Sequence, residues 1–234
     1  MCITSLHVDM NFYHSELDKY PSLITGESTP SYLLHSDIVI PRVRTVLPFA
    51  DVRFLVMLRD PVSRAYSQYH MAIDATGSPE QMKVRGQTSY VGKTFSEVIE
   101  EEIAKLILDG VTPDCSYEVF HASALVDCPM THGGHSIVAR GLYALQLLPW
   151  MEHFADHIKI LSLSDIKGAP DQVQETLNGV FSFIGLPTSE LTDFEAKNTR
   201  TYPDVEPEVK QRLADFYRPY NERLYELIGR DLSW

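Results

Sequence analysis

The order of apolar and polar positions predicts a strand, a tight turn and a helix near the end of the first quarter of the chain. Phe54 to Leu58 form a short continuous apolar run, which is typical of a strand buried on both faces of a parallel sheet. The run ends at Asp60 and Pro61, which suit a helix N-cap and the first helical position. We therefore expect a helix over residues 61–73.

Apolar stripes with helical spacing dominate the second half of the chain. They are Tyr143, Leu147, Trp150 and Phe154, then Val173, Leu177, Val180, Phe181 and Ile184, and last Val209, Leu213, Phe216, Tyr220, Leu224 and Leu227. We expect the first helix to bend near Pro149, the second to stop at Gly185 and the third to be interrupted at Pro219. Residues 158–163 alternate and predict a strand. Helices that alternate with apolar strands predict a three-layer α/β fold with a mostly parallel sheet.

Residues 74–136 have a different character, because glycine and proline recur through them and only one helical pattern, at about 95–108, stands out. We interpret the segment as loops plus a helix, and as the variable part that shapes a substrate site. The whole chain, residues 1–234, is predicted to form a single domain.

Composition limits the function classes. A net charge of −12 argues against a nucleic-acid-binding protein, whose affinity would come from many Lys and Arg side chains. No stretch reaches the roughly 18 apolar residues that a membrane span needs. The first ten residues lack the basic end and apolar run of a signal peptide. Three cysteines are too few for a disulfide framework, and a Cys115–Cys128 bridge and two reduced thiols remain alternatives.

The turn after the 54–58 strand is the best candidate for an anion site. In α/β folds, ligands bind at the carboxyl ends of strands, where helix N-termini offer free N–H groups. Arg59 leaves the strand end and can present a planar fork of donors to a phosphate. Ser67 lies two turns into the helix, on the same face as Ser63, and could add a hydroxyl donor. The alternative is that Arg59 and Asp60 are only a surface pair beside a capped helix.

The segment Arg59–Tyr69 closely resembles the 3′-phosphate-binding motif of sulfotransferases that use 3′-phosphoadenosine 5′-phosphosulfate (PAPS), and it is most similar to the carbohydrate branch that includes the heparan sulfate enzymes. The similarity continues in the same order along the chain. Its other landmarks are Gly26–Leu33, Gly141-Leu142-Tyr143 with Trp150, Phe181–Pro187, Phe216–Asn221 and Trp234.

The resemblance implies a P-loop-NTPase-like sulfotransferase fold and sulfuryl transfer from PAPS to a hydroxyl or amine of a carbohydrate or small hydroxylated acceptor. PAP is the product, and the reaction needs no metal. Arg59 and Ser67 match the residues that contact the 3′-phosphate. The segment 74–136 would lie on the acceptor side. For a eukaryotic source, the resemblance implies the Golgi lumen and a membrane tether upstream of this chain.

One landmark of the family has no counterpart in the sequence. The basic, glycine-containing loop near the N-terminus, which holds the 5′-phosphosulfate in relatives, is absent. We expect the chain to be an N-terminally incomplete member that lacks the first strand, loop and helix, and with them the catalytic base. Within this chain, Glu27 is a candidate acid near the acceptor, although a structural hydrogen-bonding role suits it better. Arg200 matches the Arg of a late loop that folds over the donor.

Two further hypotheses belong to other classes. In the first, the chain binds a nucleotide or a glycan without catalysis, since only half of a donor site is evident. Cys128, His132 and His135 have zinc-like ligand types, but their spacing fits no tight pattern, so a zinc-stabilised interaction domain is the weaker alternative.

Overall fold

The computed structural model describes residues 24, 26–47, 52–84, 90–124, 136–194 and 201–234. The α-helices in these ranges are α1 (Ser36–Val46), α2 (Pro61–Ile73), α3 (Pro79–Val84), α4 (Phe95–Leu108), α5 (Tyr117–Ala124), α6 (Tyr143–Phe154), α7 (Pro170–Phe183) and α8 (Pro207–Ile228). Short 3₁₀ turns occupy Ala139–Gly141, Ala155–His157 and Leu163–Ile166. Of the helices in the described ranges, none is long and apolar enough to cross a bilayer.

Two strands, β1 (Phe54–Leu58) and β2 (Ile158–Ser162), pair in parallel in the described part of the chain. The register aligns Phe54 with Ile158 and Leu58 with Ser162. Parallel neighbours need a long crossover, and here most of the helices lie between the two strands in sequence. The predicted α/β class is confirmed, and so are both predicted strands, although β2 ends at Ser162 and Leu163 starts a 3₁₀ turn.

One face of β1 differs from the prediction. Phe54, Val56 and Leu58 point towards the core, but Leu55 and Met57 remain 45% and 47% exposed. The expectation of burial on both faces was therefore wrong for this strand. A continuous apolar run cannot predict the exposure of Leu55 and Met57, because the sequence does not show which elements cover the second face of the strand.

Several helix boundaries agree with the sequence. The helices α2 and α4 begin and end where the pattern placed them, and Thr94 forms a capping box with Glu97 at the start of α4. Two predictions need correction. Helix α8 continues through Pro219, because its apolar face is buried and this packing offsets the lost hydrogen bond. Residues 74–136 contain α3 and α5 as well as α4, and α1 was missed altogether.

The centre of the fold is a piece of irregular backbone enclosed by helices. Ile137 and Val138 are fully buried, and all four of their backbone polar groups bind side chains. Glu102 on α4 accepts hydrogen bonds from both N–H groups, at 3.0 and 2.6 Å. Arg64 on α2 donates to the Ile137 carbonyl, and Tyr217 on α8 donates to the Val138 carbonyl at 2.8 Å. Three helices are thereby joined to one segment.

Two neighbours tighten this arrangement. A Cβ at Gly141 would lie only 2.6 Å from the Tyr217 hydroxyl, so the close approach of α8 requires glycine there. The Tyr90 hydroxyl also donates to Glu102, at 3.0 Å. Burial raises the pKa of Glu102, while the hydrogen bonds from Val138, Ile137 and Tyr90 act in the opposite direction.

We expect Glu102→Gln to lower the free energy of unfolding by about 1–3 kcal/mol, because an amide NH₂ would face a buried N–H that then has no acceptor. Urea unfolding measures the change. Glu101→Gln, on the exposed side of the same helix, serves as the control and should stay within about 0.5 kcal/mol of the wild type. Equal stabilities of the two variants would contradict the role given to Glu102.

Candidate functional site

The turn between β1 and α2 is built around the Asp60 carboxylate. It accepts hydrogen bonds from the backbone N–H groups of Val62 and Ser63, at 3.3 and 2.9 Å, and from the Ser63 hydroxyl. Pro61 occupies the first helical position, as the sequence predicts. The cap fixes the direction in which the chain leaves the sheet, and Arg59 lies between the end of β1 and the capping residue.

The same cap changes the expected anion site. The amides of Val62 and Ser63 are bound to Asp60, Pro61 has no N–H, and the Arg64 amide donates to the Asp60 carbonyl at 2.9 Å. The first turn of α2 therefore offers no free backbone donor, contrary to the expectation from its position at a strand end. An anion bound here must be held by side chains.

Tyr143 contacts the turn from the buried side. Its hydroxyl donates to the Arg59 carbonyl at 2.9 Å, and its ring is buried against Trp234. Burial raises the pKa of the Tyr143 hydroxyl. The sequence pattern assigned Tyr143 to core packing, and the structure adds a positioning contact to the residue that precedes the cap.

A cleft of about 530 Å³ opens beside this turn. Arg59, Ser63 and Ser67 line one wall, so the structure brings the two predicted phosphate contacts to the same cavity. Among the described residues, neither the Arg59 side chain nor the Ser67 hydroxyl has a hydrogen-bond or ion-pair partner, whereas the Ser63 hydroxyl is bound to Asp60. The remaining lining residues are Val62, Tyr66, Tyr202, Pro203, Asp204, Val205, Pro207 and Lys210.

The other predicted site residues are not brought into this cleft by the described structure. Arg200 lies outside the described residues, just before Tyr202 in sequence. Glu27 is exposed and does not line the cleft. Burial and, next, a hydrogen bond with Glu27 raise the pKa of Tyr32 to about 12, so this carboxylate serves a neighbouring tyrosine.

The zinc-like residues Cys128, His132 and His135 also lie outside the described residues. Within the described ranges, no group of three or more His, Cys, Asp or Glu side chains is arranged to hold a metal ion. Cys115 is a free thiol, and its possible partner Cys128 falls in the undescribed segment.

A second cleft, of about 570 Å³, lies between α1, α5 and α6. Its charged lining is mainly acidic, with Arg223 as the cation and the carboxylates of Asp37, Asp114, Glu118 and Glu152 around it. Arg223 already pairs with Asp114 at 3.0 Å. Because anions are repelled by such a lining, the Arg59 cleft is the better phosphate site of the two.

Comparison with curated proteins gives a consistent set of relatives. The chain is 25% identical to the membrane-associated sulfotransferase kil1 of Dictyostelium discoideum over 96% of its length, and 26% identical to heparan sulfate glucosamine 3-O-sulfotransferase 3B1 of Mus musculus over 95%. It is 28% identical to human carbohydrate sulfotransferase 15 over 79% of its length. The chain spans 57%, 55% and 31% of these relatives, respectively. No protein-family model matches it.

A solved structure shares the fold. The crystal structure of a sulfotransferase from Alicyclobacillus acidocaldarius superposes with a TM-score of 0.59 at 22% identity, over 96% of this chain and 76% of that one. At this identity the match establishes the α/β architecture alone. The similarity to sulfotransferases rests on the curated relatives.

We expect Asp60→Ala to cost about 0.5–2 kcal/mol of stability, because two N–H groups at the start of α2 lose their acceptor. Asp60→Asn retains one acceptor at this solvent-exposed cap, where water can accept from the other N–H, and should lose less stability than Asp60→Ala. Asp171→Ala is the control, since Asp171 lies in the first turn of α7 without capping it. Urea unfolding of the three variants checks this, and an Asp60→Ala as stable as Asp171→Ala would contradict the capping role.

Proposed function

We propose that this chain binds the 3′-phosphate of PAPS between Arg59 and Ser67, as part of an enzyme that transfers the sulfuryl group to a carbohydrate. The observation that carries the proposal is the convergence of these two unengaged donors in one cleft at the end of β1. The similarity to sulfotransferases supports PAPS as the ligand.

The two side chains have different tasks in this proposal. Arg59 presents a planar guanidinium that can make paired, charge-assisted hydrogen bonds to phosphate oxygens. Ser67 adds a neutral hydroxyl from the second turn of α2, on the same cleft wall. Side chains must hold the phosphate, because the backbone N–H groups of the first turn are already bound to Asp60. The hydrogen bond from Tyr143 keeps the Arg59 backbone in place while the guanidinium binds.

The reaction moves a sulfuryl group between two oxygens, or from oxygen to nitrogen. A lone pair of the acceptor hydroxyl or amine attacks sulfur, and the bond from sulfur to the bridging oxygen breaks. PAP leaves with that electron pair, and the acceptor gives up its proton to a base. Such transfers depend on positioning and on electrostatic stabilisation of the moving and leaving groups. The described residues contribute the positioning of the donor, and we assign no base, since Glu27 is bound to Tyr32.

The acceptor is proposed from the relatives, whose names specify heparan sulfate glucosamine and carbohydrate. It would approach along residues 74–136, the segment that the family resemblance implies on the acceptor side. A net charge of −12 favours a neutral glycan or small hydroxylated compound over a polyanion. A location in the Golgi lumen rests on the family resemblance and is part of this proposal.

We expect PAP at about 100 times its Kd to raise the melting temperature of the chain by roughly 5–10 °C, because only the folded state binds it. Arg59→Ala should weaken PAP binding about 10- to 150-fold, and Ser67→Ala about 2- to 10-fold, from the usual strengths of charged and neutral hydrogen bonds. Thermal unfolding and calorimetric titration measure both effects.

Arg218→Ala is the matched control, because it removes an arginine that pairs with Asp215 on α8 and does not line the cleft. It should bind PAP like the wild type. A folded wild-type chain that shows no stabilisation by PAP would refute the donor site.

We further expect the enzyme of which this chain is a part to release PAP from PAPS in the presence of a carbohydrate acceptor, with mass spectrometry detecting the sulfated product. A neutral oligosaccharide and heparan sulfate should be compared as acceptors. Arg59→Ala should lower kcat/KM by about the factor by which it weakens PAP binding. A chain that binds PAP but sulfates neither acceptor would favour the non-catalytic nucleotide- or glycan-binding alternative.

A further inference from the structure

The second wall of the Arg59 cleft is formed by the chain that leads into α8. Two contacts hold this wall against α2. The Tyr66 hydroxyl donates to the Pro203 carbonyl at 2.8 Å, and the His70 ring stacks on Tyr202 with 4.3 Å between centroids and 10° between planes. The wall therefore has a defined position relative to Arg59, although the two walls are far apart in sequence.

The charges in this cleft are poorly balanced for a phosphate if Arg59 is the only cation that acts on it. Asp204 lines the opposite wall, and Asp60 lies directly beside Arg59. One guanidinium is thus accompanied by two nearby acidic residues, Asp204 in the cleft and the capping Asp60, while a phosphate monoester brings a further charge of about −1.5 to −2 near neutral pH. A second cation would improve this balance for a dianion.

Lys210 is the other cation that lines the cleft in the described part of the chain. Its side chain is exposed and has no carboxylate partner among the described residues. It is the fourth residue of α8, near the positive end of the helix dipole, where an anionic ligand is favoured in addition to the acidic Glu206 and Glu208 of the same turn. The four-carbon stem gives the ammonium group enough freedom to reach a ligand.

We propose that Lys210 is a second binding residue for the 3′-phosphate, facing Arg59 and Ser67 across the cleft. The inference rests on the proposed function, because it needs PAPS as the ligand. It adds a specificity element, since a cation at this subsite favours nucleotides that carry a 3′-phosphate over those that lack one. Because Lys210 lies on α8, the 3′-phosphate would be bound by this helix as well as by the β1–α2 turn.

The test compares two nucleotides that differ in the 3′-phosphate alone, PAP and adenosine 5′-monophosphate, by calorimetric titration of the full chain. Lys210→Ala should weaken PAP binding about 5- to 30-fold, as expected for a lost charged contact, and change the affinity for adenosine 5′-monophosphate less than about twofold. Lys210→Arg should retain most of the PAP affinity. Lys167→Ala removes the same charge from an exposed site outside the cleft and should match the wild type.

Three results would count against the inference. PAP affinity in Lys210→Ala equal to that in Lys167→Ala, with Arg59→Ala still impaired, overturns the role of Lys210 and leaves the donor site intact. An equal loss for both nucleotides also overturns it, since Lys210 would then not read the 3′-phosphate. A folded wild-type chain that binds no PAP overturns the proposed function and this inference together. The melting temperature of each variant is measured to confirm that the binding comparisons use folded protein.

Discussion

The backbone of Ile137 and Val138 imposes the constraint on which the rest of the structure depends. These residues lie in the apolar core but outside any regular helix or strand, so backbone pairing leaves both of their N–H groups and the Ile137 carbonyl to side chains, while the Val138 carbonyl also accepts from the Gly141 N–H. Glu102, Arg64 and Tyr217 meet this need from three helices. Since an unpaired buried polar group costs about 1–3 kcal/mol, the positions of α2, α4 and α8 are coupled to one another.

This coupling reaches the candidate site through both of its walls. Arg64, in the first turn of α2, donates to the core network, and Asp60 and Arg59 form the turn directly before this end of the helix. Helix α8 carries Tyr217 to the network and Lys210 to the cleft. After Val138, the chain continues through the 3₁₀ turn Ala139–Gly141 into α6, where the Tyr143 hydroxyl donates to the Arg59 carbonyl. A packing requirement in the core thus orients the elements that line the cleft.

The Asp60 cap illustrates a conflict between local stability and ligand binding. The cap stabilises α2, but it occupies the backbone amides that would suit an anion and places a carboxylate beside the site. Side-chain cations can compensate because each contributes a full charge, whereas a helix terminus contributes about half of one. This explains why the proposed donor site depends on Arg59 and, in our inference, on Lys210.

Local patterns in the sequence determined β1, β2, the capped start of α2, the bounds of α4 and the position of Arg59 and Ser67 on one side of the same turn, since each depends on neighbours within a few turns. They did not determine the exposed face of β1, the passage of α8 through Pro219, the second task of Tyr143 or the presence of Lys210 in the cleft. Those features depend on which elements that are distant in sequence pack together, as Tyr143 does with Arg59. Only the tertiary structure decides them, because packing energy across elements can outweigh local propensity and leaves no periodic trace in the chain.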